Sequence, residues 1–233
     1  MIELTTKEEL LSVLNSFSRK TAMMAGAYMD EHDEKIVFKK DSFKRSVLGV
    51  VNICKADEEW PHHEGVKLLP ILQIRVIDLP FVSKELEGVT YITIFGHPHK
   101  LDLSQSEACC VLRVYYDEDL VFLEEPSDLE KQHHVRHRGD FIEFIVSEDY
   151  PHDYDLPGSI TSAMEKHDLS VMCHYQYHGK FFGWPYWKQE VYMYNSFSFV
   201  FQFDGRCYGD HGCFYVFRNL ETTQWRVLFQ AED

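Results

Sequence analysis

The sequence predicts an α+β protein, mainly antiparallel β, with an N-terminal helix followed by two degenerate internal repeats. Three observations carry this expectation. Short apolar runs rich in β-branched and aromatic residues recur at 69–77, 88–95, 109–116, 141–146, 197–203, 213–218 and 225–229, each bounded by Gly, Pro, Asp or Asn, as strands are. Helical periodicity is confined to a few segments, so the strand–helix rhythm of a doubly wound parallel sheet is missing. The second half of the chain also repeats an order of elements met in the first.

Taken in order, the elements have separate justifications. Thr6 followed by Glu9 makes a capping box, and Leu10, Leu11, Leu14 and Phe17 then share one helical face. Ala22–Met29 reads as an extension of that helix or a second short one. Lys35–Lys39 reads as a strand, and helical patterns return at 127–137 and 158–168. The loosest stretch, Ser147–Gly158, carries two prolines and four acidic residues and reads as a surface loop between the halves. The expectation is one domain over 1–233, with repeats at about 35–146 and 159–233.

The formal net charge is −15 over 233 residues. Such a surface repels phosphate backbones, which argues against nucleic acid as a partner and favours a basic one. Residues 1–9 carry acidic side chains where a signal peptide needs a basic end and an apolar run, and no apolar stretch has the length of a membrane helix. The six cysteines form no Cys-x-x-Cys pair, so reduced thiols and a cytoplasmic location are expected, with no membrane association.

The repeats are read from three elements in shared order. Gln73 lies in Leu72-Gln73-Ile74 and Gln202 in Phe201-Gln202-Phe203; each strand is followed by a Gly-x-x-Tyr segment, at Gly88–Tyr91 and Gly212–Tyr215. Each is preceded by a glycine-containing segment, Ser46–Asn52 with Gly49 and Lys180–Pro185 with Gly183.

These residues resemble the YwqG-like family of bacterial proteins. The first block, with Gly49, Trp60-Pro61, Leu69–Ile74 and Leu79-Pro80, is similar to that family's glycine turn, Trp-Pro pair and Gln-bearing strand ending in Leu-Pro. The second block is Gly183-Trp184-Pro185 with Gln189, then Phe199–Asp204, then Tyr208–Gly212 and Tyr215. Val50, Asn52 and Phe182 depart from the family's turns, two of them at glycine positions. If those glycines need positive φ, both turns here are expected to be remodelled. The family has no assigned function and is similar to a wider group that includes programmed cell death protein 2 and its relatives, chaperones of a ribosomal protein. Some bacterial relatives sit in toxin–immunity neighbourhoods. The resemblance implies protein binding of a chaperone-like or immunity-like kind.

Candidate binding residues follow from chemistry. A Gln on an apolar strand must find hydrogen-bond partners, so Gln73 and Gln202 either line a polar groove for a peptide backbone or belong to an internal network tying the repeats together. The run Phe181–Trp187 is the densest aromatic segment, and Trp184, Pro185, Tyr186 and Trp187, with Gln189 and Asp210, offer a binding surface or a cap on the core. His133, His134 and His137 sit among Lys131, Arg136 and Arg138, which oppose a cation. Cys207 and Cys213 around Asp210 and His211 read as a turn rather than a metal knuckle. No catalytic residue, metal ligand or cofactor is assigned. The expected function is a binding module for a basic protein or peptide. The alternative is a metal-dependent or hydrolase-like enzyme using, for instance, Asp210 and His211.

Overall fold

The computed structural model describes residues 6–26, 43–98, 110–129, 141–151, 156–167, 179–188, 196–205 and 212–231. It is an α+β fold of mostly antiparallel sheets with an N-terminal helix, as the sequence predicts. Helix α1 spans Lys7–Ser16, and its capping box is formed: Glu9 N donates to the Thr6 hydroxyl while Thr6 N donates to the Glu9 carboxylate, each at 3.1 Å. Two of the helix's orphan donors are thereby satisfied. Leu10 and Leu14 pack on Leu156, Ile160, Ala163 and Met164 around α2 (Gly158–Lys166), a cluster separate from the main core.

The chain then departs from expectation. Arg19–Gly26 is a strand, β1, with β10 (Ile142–Asp149) on one side and β11 (Gly179–Phe182) on the other. Met, Ala and Lys favour a helix locally, but Thr21, Ala22, Met23 and Met24 are all buried between two strands. Pairing on both edges decides the matter. Ser147–Asp149, expected in a loop, extends β10, and Asp149 is fully buried. Of the helical pattern at 127–137, residues 127–129 form a single turn; the remainder lies outside the described residues, as does the strand expected at 35–39.

One large sheet has the order β2 (Val47–Leu48), β6 (Leu69–Arg75), β7 (Tyr91–Gly96), β8 (Cys110–Tyr115), and the second large sheet the order β10, β1, β11, β12 (Ser198–Asp204), β13 (Gly212–Arg218), β14 (Trp225–Ala231). Two short pairs are formed by β3 (Ile53–Cys54) with β9 (Val121–Phe122), and by β4 (His62–His63) with β5 (Val66–Lys67). A bridge between Val47 and Phe141, extended by Ile142 N donating to Ser46 O at 3.1 Å, joins β2 to the start of β10. Alternation along the strands sorts the side chains. Leu72, Ile74, Ile92 and Ile94 face Phe201, Phe203, Phe214, Val216, Val227 and Phe229 in one shared core. Stacked rings fill it, with Phe203 and Phe214 at 4.6 Å and Phe181 and Phe201 at 4.5 Å between centroids. Each such side chain contributes about 1.5–3 kcal/mol by leaving water.

Part of each outer face is covered by the chain itself. Val51, Cys54, Trp60, Leu123 and Leu129 lie over Phe95 on the first sheet. Trp187, Phe197 and Leu228 group with Tyr215 and Phe217 on the second.

Candidate functional site

The two glutamines occupy the same place in the two sheets. Gln73 Oε1 accepts from the N–H of Asn52 at 3.0 Å, three residues after Gly49. Gln202 Oε1 accepts from the N–H of Tyr186 at 2.6 Å, three residues after Gly183. Both glycines take positive φ, 70° and 74°. The Gln73 amide also donates to the carbonyls of Phe43 and Arg45, each at 2.8 Å. Gln73 is 0% exposed and Gln202 8%. Both polar atoms of Gln73 and the Gln202 oxygen are bonded to backbone, each bracing its own half. Correspondence of the two halves fails at the Gly-x-x-Tyr segments. Tyr215 pairs with Gln202, whereas Tyr91 pairs with Arg75, two residues beyond Gln73. Gly88 lies before its strand and Gly212 begins one.

The aromatic turn leaves β11 through two consecutive residues of positive φ, Phe182 at 62° and Gly183 at 74°. Phe182 holds the left-handed conformation that glycine adopts freely, at a steric cost of about 1–2 kcal/mol. Its ring is buried against Phe181 and Phe81, with centroids 5.9 and 5.1 Å away. Beneath Gly183 lies Asp149, whose Oδ2 accepts from Lys180 Nζ and from Trp184 N, both at 2.7 Å. The ion pair is sealed, its side chains 3% and 0% exposed. Removing one partner of such a pair leaves an uncompensated buried charge. The pair therefore pins the turn from a position shielded from solvent.

Beyond the glycine the side chains are half-buried. Trp184 Nε1 donates to Phe17 O at 2.8 Å, and the Arg19 guanidinium stacks 3.5 Å from the Trp184 ring centroid. Burial pulls the Arg19 pKa down, against the opposing pull of Asp149 and Glu85. Trp187 stacks on Tyr215 at 5.0 Å and on Phe217 at 5.9 Å. Tyr215 Oη donates to Tyr186 O at 2.5 Å and accepts from Lys188 N at 3.0 Å. Burial, then the neighbouring Cys213, holds the Tyr215 hydroxyl protonated far above its usual range. The turn is both a cap on the second sheet and a partly open aromatic surface.

A second feature escaped sequence reasoning. A groove of about 280 Å³ beside residues 75–91 has Ile77, Val82, Leu86 and Val89 as apolar lining and Arg75 and Glu118 as charged lining. Ile77 is 72% exposed and Val82 51%, and Tyr116, near Gly88, is 50% exposed. The groove adjoins the aromatic turn, since Phe81 packs on Phe182 and Val82 follows it. In the sequence, Val76–Asp78 looks like the end of a strand; the chain instead leaves the sheet in a 3-10 turn that turns Ile77 to solvent. The sole signal was Leu79-Pro80 directly after it.

Gln189, Asp210, His211, His133, His134, His137 and Cys207 lie outside the described residues. Among the described residues no group of three His, Cys, Asp or Glu side chains is placed to hold a metal, and no helix is long and apolar enough to cross a membrane. Cys213 is buried, and burial pushes its thiol up to about 12, out of the nucleophilic range. The chain matches no protein-family model, and no curated protein matches it in sequence.

Proposed function

We propose that the chain is a cytoplasmic protein-binding module of YwqG-like type, taking a basic protein partner where the aromatic turn at 183–188 meets the groove beside 75–91. The observation that carries this reading is the exposed apolar pair Ile77 and Val82, 72% and 51% exposed, continuous through Phe81 with the turn. Adjacent exposed apolar side chains rimmed by charge mark association surfaces. Half-buried Trp184 and Tyr186 add rigid aromatic area of the kind that dominates such contacts. The sealed pair beneath Gly183 supports it by holding the turn in one shape before a partner arrives, which lowers the ordering cost of binding. The net charge of −15 favours a basic partner. In support of the family and of the two-repeat organisation stand the matching strand order, the two positive-φ glycines and the two Gln–backbone bonds. Six cysteines without a paired motif support the compartment.

Trp184 and Trp187 are poor probes, because both brace the fold as well as facing outward. Ile77→Asp with Val82→Asp is the better variant. Surface changes of this kind shift stability by about 0.5 kcal/mol each. Crosslinking and tagged purification at native expression are expected to recover one stoichiometric basic partner with the wild type and to lose it with the double variant, at unchanged melting temperature. Equal recovery with both proteins overturns the reading.

A further inference from the structure

The two sheets differ at one position that the matching architecture makes comparable. Direct cross-strand pairing runs Val47, Gln73, Thr93, Arg113 in the first sheet and Lys180, Gln202, Tyr215, Leu228 in the second. In the second sheet the Tyr215 hydroxyl reaches the covering turn and bonds to Tyr186 O and Lys188 N. In the first, Thr93 stands at that place, and its short side chain ends near the sheet.

The polar atoms left there are buried. Thr93 is 0% exposed and Asn52 4%, and Thr93 Oγ1 and both side-chain atoms of Asn52, Oδ1 and Nδ2, have no hydrogen-bond partner among the described residues. The Asn52 backbone bond to Gln73, the residue paired with Thr93, holds Asn52 over this row. Arg113 follows in the row; its Nη2 donates to Glu59 O at 2.6 Å, while Nη1 lies 3.7 Å from Glu58 Oε2 with no hydrogen bond. A buried amide and hydroxyl left unpaired carry their whole desolvation cost, and native proteins meet such groups with ordered water.

We infer that Asn52, Thr93 and Arg113 frame a buried polar niche for resident water, which fastens the segment around Asn52 to the first sheet as the Tyr215 hydroxyl fastens the aromatic turn to the second. The chemistry selects a small neutral ligand able both to donate and to accept. Asn52 presents both functions, Thr93 presents both, and the Arg113 charge is already met by Glu58 and the Glu59 carbonyl. An anion would lie against the Glu58 carboxylate, which also accepts from Tyr115 Oη at 2.8 Å.

A high-resolution crystal structure of the full chain tests this, together with Thr93→Val, which keeps the shape and removes the hydroxyl. The wild type is expected to show an ordered oxygen about 2.7–3.2 Å from Thr93 Oγ1 and an Asn52 side-chain atom. Thr93→Val is expected to lower the melting temperature by several degrees, and Thr93→Ser to retain the oxygen. If Thr93→Val does not fold, the wild-type and Thr93→Ser densities decide. Absence of the oxygen, a larger molecule on the same atoms, or a raised melting temperature in Thr93→Val overturns the inference; the last would show that substitution simply removed an unpaired hydroxyl.

Discussion

Gly183 shows how much a single backbone position can carry. A Cβ built there would overlap Asp149 Oδ2 and lie 3.0 Å from Asp149 Cβ, and the residue sits at φ 74°. Left-handed strain and overpacking act together, so Gly183→Ala is expected to cost about 2–4 kcal/mol in urea denaturation. Gly158→Ala is the control: its added Cβ meets nothing within 4 Å, at the start of α2, and the change is expected to stay within about 0.5 kcal/mol. Equal effects of the two substitutions would mean that the Asp149 brace does not hold the turn. Phe182 makes the converse point. Its left-handed backbone is tolerated because its ring gains contacts with Phe81 and Phe181 that glycine could not make.

Among the elements, α1 is the one whose stability is most local. Its capping box is written in four residues, and its buried face touches α2 rather than the shared core. Thr6→Ala is expected to cost about 1 kcal/mol. Because the helix pair forms its own cluster, hydrogen exchange is expected to quicken in α1 and α2 while β6, β7, β12 and β13 keep their protection. Uniform loss of protection across the sheets would show that the helices and core unfold as one unit. β1 stands at the other extreme. Its residues carry helix-favouring side chains, and its strand form depends on β10, more than 110 residues away in sequence, and on β11, further still.

For the molecule as a whole, buried acids of one kind set the response to pH. Cys213, Tyr215, Tyr115, Tyr91 and Cys54 all have raised pKa values, and burial is the first cause for each. Folded, these groups stay neutral; unfolded, the thiols ionise from about pH 8.5 and the phenols from about pH 10. Above those values the unfolded chain binds fewer protons than the folded one, so stability falls as pH rises. The contribution is complete below about pH 8.5 and is lost progressively toward pH 12, the value to which Cys213 is pushed. Urea midpoints are expected to drop between about pH 8 and pH 10.5. A flat profile would place these side chains in contact with water.

Periodicity and local chemistry by themselves determined the fold class, seven of the strands, the α1 cap and the alternation that sends Leu72 and Ile74 inward with Gln73 on the opposite face. Each of these depends on neighbours two to four residues away, which any short window contains. The aromatic turn stood out by residue type, but type alone left open whether it formed a surface or a cap on the core, and in the structure its side chains are half-buried. Tertiary structure decided the rest. Whether Gln73 faced a partner or its own backbone depended on Asn52, Phe43 and Arg45, brought over it from at least 21 residues away. Asp149 read as one carboxylate of an acidic loop until β10 carried it under Gly183. The groove exists because a 3-10 turn exposes Ile77 beside a loop whose Phe81 packs on a residue 101 positions later. Contacts between distant segments are set by the free energy of the whole packed chain, and no local window carries that quantity.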